Sequence, residues 1–357
     1  MGDIPSRSTD ANAGGPGVTA RHTRSAGTGV SPSSYEEPPF GGGGGALPRK
    51  SRFSMESGFR GLSVAAGAMV LVIIVAIAVF LISKAAPALS DDTVNFLTAT
   101  EWFPNETPPR FGVAALAFGT LLTSVIALLV AVPIALAIAL FLSHYAPKRL
   151  ATPLSFVIDL LAAVPSVVFG LWGRDLLQEP VRDFSVWLNK YFSWIPLFGG
   201  DGPFGQSILL GGVVLAIMVL PIVTSLSREV FQQTPGMNEE AALALGATKW
   251  EMIRTAVLPY GKPGVIAAVM LGLGRALGET IALAMTLGIT FNISFNLIET
   301  GGNSIAANIA NSFGEANETG RGALIASGLL LFAITLVVNM AARAIIYRRR
   351  EFRDSTA

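Results

Sequence analysis

The chain is 357 residues long, with 51% apolar and only 14% charged residues, against about 25% charged in ordinary soluble domains. So few charges cannot cover the surface of soluble domains, and most of the chain must face lipid or other apolar helices. A formal net charge of +1 gives no basic excess for a nucleic-acid partner. The absence of cysteine excludes disulfides, thiolate metal sites and a cysteine nucleophile, and His22 and His144 are too few and too far apart for a histidine metal cluster.

Residues 1–52 hold eleven glycines and six prolines, including the Gly41–Gly45 run. With no apolar periodicity to offset the entropy of ordering, this stretch is expected to be a disordered cytoplasmic tail, either merely solvated or regulatory. A cleavable signal peptide is not expected, because the first apolar run starts only at Gly61. Arg49, Lys50, Arg52 and Arg60 form a basic collar before it.

Residues 53–350 are expected to form an all-helical membrane domain, followed by a short cytoplasmic tail over 351–357. Crossing a bilayer takes about 20 apolar residues, and six stretches qualify: 61–83, 111–143, 150–171, 204–226, 263–291 and 323–342. At 1.5 Å per residue the second would be about 50 Å long, so it must tilt, bend at Pro133 or project into water. Pro165 and Pro221 mark bends in the third and fourth, and either simple bending or hinging fits them.

Orientation follows from Lys and Arg. With the N-terminus inside, eighteen fall in cytoplasmic segments and six outside, and Arg275 lies within a span. Both termini are therefore expected in the cytoplasm. Two outside connections are long. Residues 172–202 carry Trp172, Trp187, Tyr191, Phe192 and Trp194 among charges, which fits one or two helices in the interface, either capping the bundle or receiving an external partner. In the other, Ile305, Ile309 and Phe313 recur at four-residue spacing and predict a short amphipathic helix.

The inside loop 227–262 is far longer than a turn. Glu239 and Glu240 open an Ala/Leu run of high helix propensity, Gly246 interrupts it, and Pro259 ends a second piece with Trp250, Ile253 and Val257 on one face. Such a helix–turn–helix suits the groove of a soluble partner, or serves as a cap of its own.

Glu240-Ala241-Ala242, then Gly246, then Leu258-Pro259 resembles the EAA signature of ABC importer permeases; Ala256 stands where a branched aliphatic residue is usual. The resemblance implies a type I importer bundle whose loop couples to a nucleotide-binding subunit, with Glu240, Ala241, Ala242, Gly246 and Pro259 as coupling residues. Residues 159–173 and Leu271-Gly-Leu-Gly-Arg-Ala-Leu-Gly-Glu-Thr280 are similar to phosphate importer permeases of the PstC type, as is Thr98-Ala-Thr-Glu-Trp-Phe-Pro104. Asp159 stands where glutamate is usual in that family. What this implies is half of a phosphate path in a bacterial cytoplasmic membrane. The implied partners are a PstA-type second permease, two copies of an ATP-binding subunit and an external phosphate-binding protein, with ATP and Mg held by the ATP-binding partner.

Asp159, Arg275 and Glu279 are the ionisable residues well inside the expected spans, at a cost of about 2.5–3.5 kcal/mol each. Arg275 and Glu279 are four apart and would share a helix face. Two readings are open: a buried ion pair that fixes register, with Asp159 reaching across, or a substrate path in which guanidinium meets phosphate oxygens. Ser166 and Thr280 could add hydroxyls to that path or bond back to their own helices. Gly274 and Gly278 have the Gly-x-x-x-Gly spacing of close helix contact, either within the chain or with a second permease.

No P-loop, metalloprotease motif or plausible catalytic triad occurs, so this chain is not expected to hydrolyse ATP or to bind a metal or cofactor. The alternatives are a permease of the same fold for another oxyanion or an osmolyte, an ion-driven transporter, and a membrane-bound enzyme. The second would have no need of the EAA-like loop.

Overall fold

The structure, a computed structural model, describes residues 55–354. The tail expected over 1–52 lies outside the described residues. The chain separates at Arg60, and the unit Gly61–Ala357 holds the fold discussed below.

Among the described residues, five helices are long and apolar enough to cross a membrane: Gly58–Asp91, Ala114–Tyr145, Ile208–Gln232, Lys249–Leu277 and Glu318–Ala344. A sixth crossing exists only if the pair Lys148–Ala162 and Ser166–Phe192, bent by 93°, counts as one span. In chain order, α1 (Met55–Asp91) is apolar on all sides and exposes nearly its whole length. An antiparallel hairpin of β1 (Trp102–Phe103) and β2 (Arg110–Phe111) follows. Trp102, Phe111, Phe96 and Phe291 pack there with ring centroids 6.1 Å apart.

Helix α2 (Ala114–Leu140) runs past Pro133 into a π-helical turn at Phe141–Tyr145. Its buried Thr120, Thr123 and Ser124 donate to the carbonyls of Leu116, Gly119 and Thr120, so none is left unpaired in an apolar span. Helix α6 (Ile208–Gln232) is the most buried long helix and forms the centre. Ser207 caps it by accepting from the Leu210 amide at 3.3 Å. Helix α6 meets α2 so closely that a Cβ at Gly212 would stand 2.6 Å from Ile126. It also meets α9 (Leu258–Leu277), where a Cβ at Gly272 would lie 2.7 Å from Val219. Without a hydrophobic force between helices in lipid, such backbone approach supplies the association.

Two expected spans are broken. Residues 150–171 divide into α3 (Lys148–Ala162) and α4 (Ser166–Trp172), and α4 continues through a π-helical turn into α5 (Gln178–Phe192). Proline disfavours helix for the residue before it, which places the bend at Val164–Pro165. The helix expected over 263–291 stops at Leu277, with Gly278 as its C-cap. A six-residue helix, α10 (Ile281–Thr286), and extended chain take its place. Helices α4 and α10 pack together, and a Cβ at Gly170 would fall 2.9 Å from the Ala282 Cα.

Outside the spans, α5 buries Val181, Ser185 and Leu188 and exposes Phe184, Trp187 and Tyr191. Phe184 and Trp187 stack at 5.8 Å. Helix α11 (Ile305–Ser312) forms on the expected residues, with Ile305 buried and Phe313 exposed. Helix α12 (Glu318–Asp354) is longer than the 323–342 expectation at both ends.

Candidate functional site

The loop after α6 folds as α7 (Gly236–Ala244), a turn at Gly246, and α8 (Lys249–Met252), which continues through a π-helical turn into α9. Gly246 has φ +86°, a conformation that β-carbon residues rarely adopt. Thr248 starts α8 with a capping box: its hydroxyl accepts from the Glu251 amide at 3.3 Å, and the Glu251 carboxylate accepts from the Thr248 amide at 2.8 Å. Ile253 and Val257 are buried and anchor the segment with Ala139 and Phe231. Trp250 was expected on that same face, yet it is 55% exposed.

No residue of α7 is buried. Ala241 and Ala242 line one groove of about 480 Å³ with the sequence-distant Pro259 and with Leu245 and Tyr260. Glu240 and Gly246 stand exposed beside it. The loop is tied to the end of α2 by two contacts that sequence spacing does not signal. His144 Nε2 lies 3.4 Å from Glu239 Oε1, and Lys249 Nζ lies 4.9 Å from the Tyr145 ring centroid.

The three intramembrane charges are not brought together. Asp159 accepts a hydrogen bond from Ser225 at 2.6 Å and pairs with Arg228 at 3.6 Å, at the end of α6. The expected reach toward Arg275 and Glu279 is corrected accordingly. With about half of the Asp159 side chain exposed, that pair contributes at most about 1 kcal/mol.

Arg275 and Glu279 also part company, because Gly278 ends the helix between them, and the four-residue spacing no longer defines one face. Arg275 sits in the last turn of α9 and Glu279 just ahead of α10, where each charge complements its own helix end. Glu279 is buried and accepts from the Ala282 amide at 3.1 Å, holding α10 in place. Thr280 donates to the Gly278 carbonyl at 3.2 Å, and Ser166 begins α4, half-buried.

Arg275 lines an open groove of about 640 Å³ between α9 and α12, with Ile222, Leu271, Gly274, Asn339 and Arg343. Among the described residues, no carboxylate comes within ion-pair distance of Arg275. A Cβ at Gly274 would meet no atom within 4 Å, and one at Gly278 would approach only its own helix. The close contact expected at Gly274 and Gly278 is therefore not made within this chain; Gly264 and Gly272 make it instead. Gly272→Val should overpack α6 against α9 at about 1–3 kcal/mol, while Gly274→Val leaves the isolated chain's thermal stability unchanged. Melting curves of the purified variants in detergent check both.

A multi-pass helical bundle with an exposed helix–turn–helix and an open groove lined by Arg275 and Arg343 has the parts of a membrane transport component. The chain belongs to the binding-protein-dependent transport system inner membrane component family, whose profile matches residues 131–351. It is thus a multi-pass permease component, a transport subunit. It is 46% identical over 292 residues to the phosphate transport system permease protein PstC 2 of Mycobacterium tuberculosis, covering 80% of this chain and 90% of that protein. PstC of Mycobacterium leprae is 44% identical over 75% of this chain and 86% of its own length. PstC of Xylella fastidiosa is 42% identical over 81% and 90%.

Proposed function

We propose that this chain is one permease subunit of an ATP-driven phosphate importer, forming half of the path for inorganic phosphate. The observation that carries the reading is its 46% identity, over nine-tenths of the relative's length, to a protein named as a phosphate permease. The placement of Arg275 supports it chemically. Guanidinium keeps its charge at all working pH and offers a planar fork that matches phosphate oxygens. Glu279 stands one short turn beyond, with one oxygen engaged by Ala282 and lone pairs remaining. Phosphate near neutrality keeps a proton and so can donate a hydrogen bond to such a carboxylate; sulfate has none to offer and meets repulsion.

The partners follow from the same reading. The open face at Gly274 suits a PstA-type second permease that completes the groove. The exposed α7, with Glu240, Ala241, Ala242 and Gly246, suits an ATP-binding subunit, present in two copies and holding ATP and Mg. Phosphate arrives from an external binding protein. The Lys and Arg distribution puts both termini in the cytoplasm of a bacterial cell whose inner membrane holds the complex. Co-purification tests the assembly: a second permease and an ATP-binding subunit are expected with the tagged chain, and a chain that purifies alone and transports without ATP contradicts the reading.

A further inference from the structure

The groove that holds Arg275 holds a second guanidinium. Asn339 and Arg343 of α12 line it together with Ala267, Met270 and Gly274 of α9. Between Gly322 and Ala344, Asn339 and Arg343 are the only amide and the only ionisable side chain. Four residues apart on an unbroken helix, they share one face, and that face is turned to the groove. A polar pair in an apolar span is costly and marks a pathway more often than packing.

The connection fixes which end each arginine occupies. Between α9 and α12 lie only α10, of six residues, and α11, of eight. Neither reaches the ~30 Å of a bilayer core at ~1.5 Å per residue. Helices α9 and α12 therefore cross in opposite senses. Arg275 closes the C-terminal end of α9's lining stretch and Arg343 the C-terminal end of α12's, so the two stand toward opposite ends of the groove. Residues 267–275 rise about 12 Å, which separates the two ends.

We propose that Arg343, with Asn339, is a second anion station, to which phosphate passes from Arg275 as it leaves the membrane. The inference rests on the phosphate reading of the same groove and adds a step to it. A single tight site would trap the ion, whereas two weaker stations in series let it leave. Arg343 supplies charge and the planar fork; the Asn339 amide supplies neutral donors that orient an oxyanion with less pull than a second charge would exert.

The test uses the complete complex in proteoliposomes, with labelled inorganic phosphate and, in parallel, labelled sulfate. Arg343→Gln is expected to lower the maximal uptake rate about tenfold, the effect of losing one hydrogen bond to a charged group. The half-saturating concentration of loaded binding protein should stay the same, because the station acts after delivery. Arg343→Lys should restore uptake to within about threefold of the parent, since it keeps the charge without the fork. Unchanged uptake by Arg343→Gln overturns the proposal. So does a loss in Arg343→Gln that is fully matched by less protein in the membrane, with Arg343→Lys restoring both together, which would make Arg343 a topological anchor. Each variant is scored on whichever anion the parent complex carries, so a sulfate-carrying parent removes the phosphate reading without deciding the fate of Arg343.

Discussion

Arg275→Ala is expected to reduce phosphate uptake about a hundredfold or more, the cost of losing a bidentate pair of hydrogen bonds to a charged group. The complex should remain assembled. Arg275 is the last-turn residue of α9, and its guanidinium faces an open groove rather than a packed neighbour. It meets no carboxylate among the described residues, so its removal strands no buried counter-charge. The structural loss is limited to a favourable helix-end charge, typically about 0.3–1 kcal/mol. Arg275→Lys keeps that charge and loses the fork, and should fall between the two. Labelled-phosphate uptake set against the yield of co-purified subunits separates transport from assembly. Normal uptake by Arg275→Ala removes it from the path.

Gly246→Trp is expected to uncouple ATP hydrolysis from uptake, with transport falling to background while some hydrolysis persists. The turn geometry makes this variant informative. At φ +86° any β-carbon carries a conformational cost, roughly 1–2 kcal/mol. Beyond that the chain has room, because a Cβ at Gly246 meets nothing within 4 Å. Gly246→Ala shares the backbone cost without the bulk. If Gly246→Ala retains coupling and Gly246→Trp does not, the lost space belongs to a partner seated on α7. Equal behaviour of the two assigns the effect to the turn itself, and full coupling in both removes the docking role.

Much of this fold was legible because hydropathy alone locates long apolar helices: α1, α2 and α6 fall on stretches that read as continuous in sequence. The two breaks were less so. Pro165 signalled a bend but not one of 93°. Gly278 was read as a packing glycine, when Leu277-Gly278 followed by Thr280 also has the form of a helix end and a new helix start. That single misreading placed Arg275 and Glu279 on one face and paired them. The partner of Asp159 was hidden for another reason. Arg228 lies sixty-nine positions away and was counted as a loop charge, and only the packing of α3 on α6 brings the two together. The coupling segment was the most readable part, since its Gly, Thr and Pro punctuation encodes local geometry. The groove containing Arg343 was missed because a basic residue at the end of a last span reads first as an orientation signal.

On the proposed function, this subunit passes phosphate under the drive of a partner's ATP hydrolysis. Uptake of labelled inorganic phosphate into proteoliposomes carrying the full complex, with loaded binding protein outside and ATP and Mg inside, tests it most directly. Phosphate is expected to accumulate, to stop accumulating when ATP is withheld, and not to be competed by sulfate. Accumulation independent of ATP, or driven equally by sulfate, would contradict it.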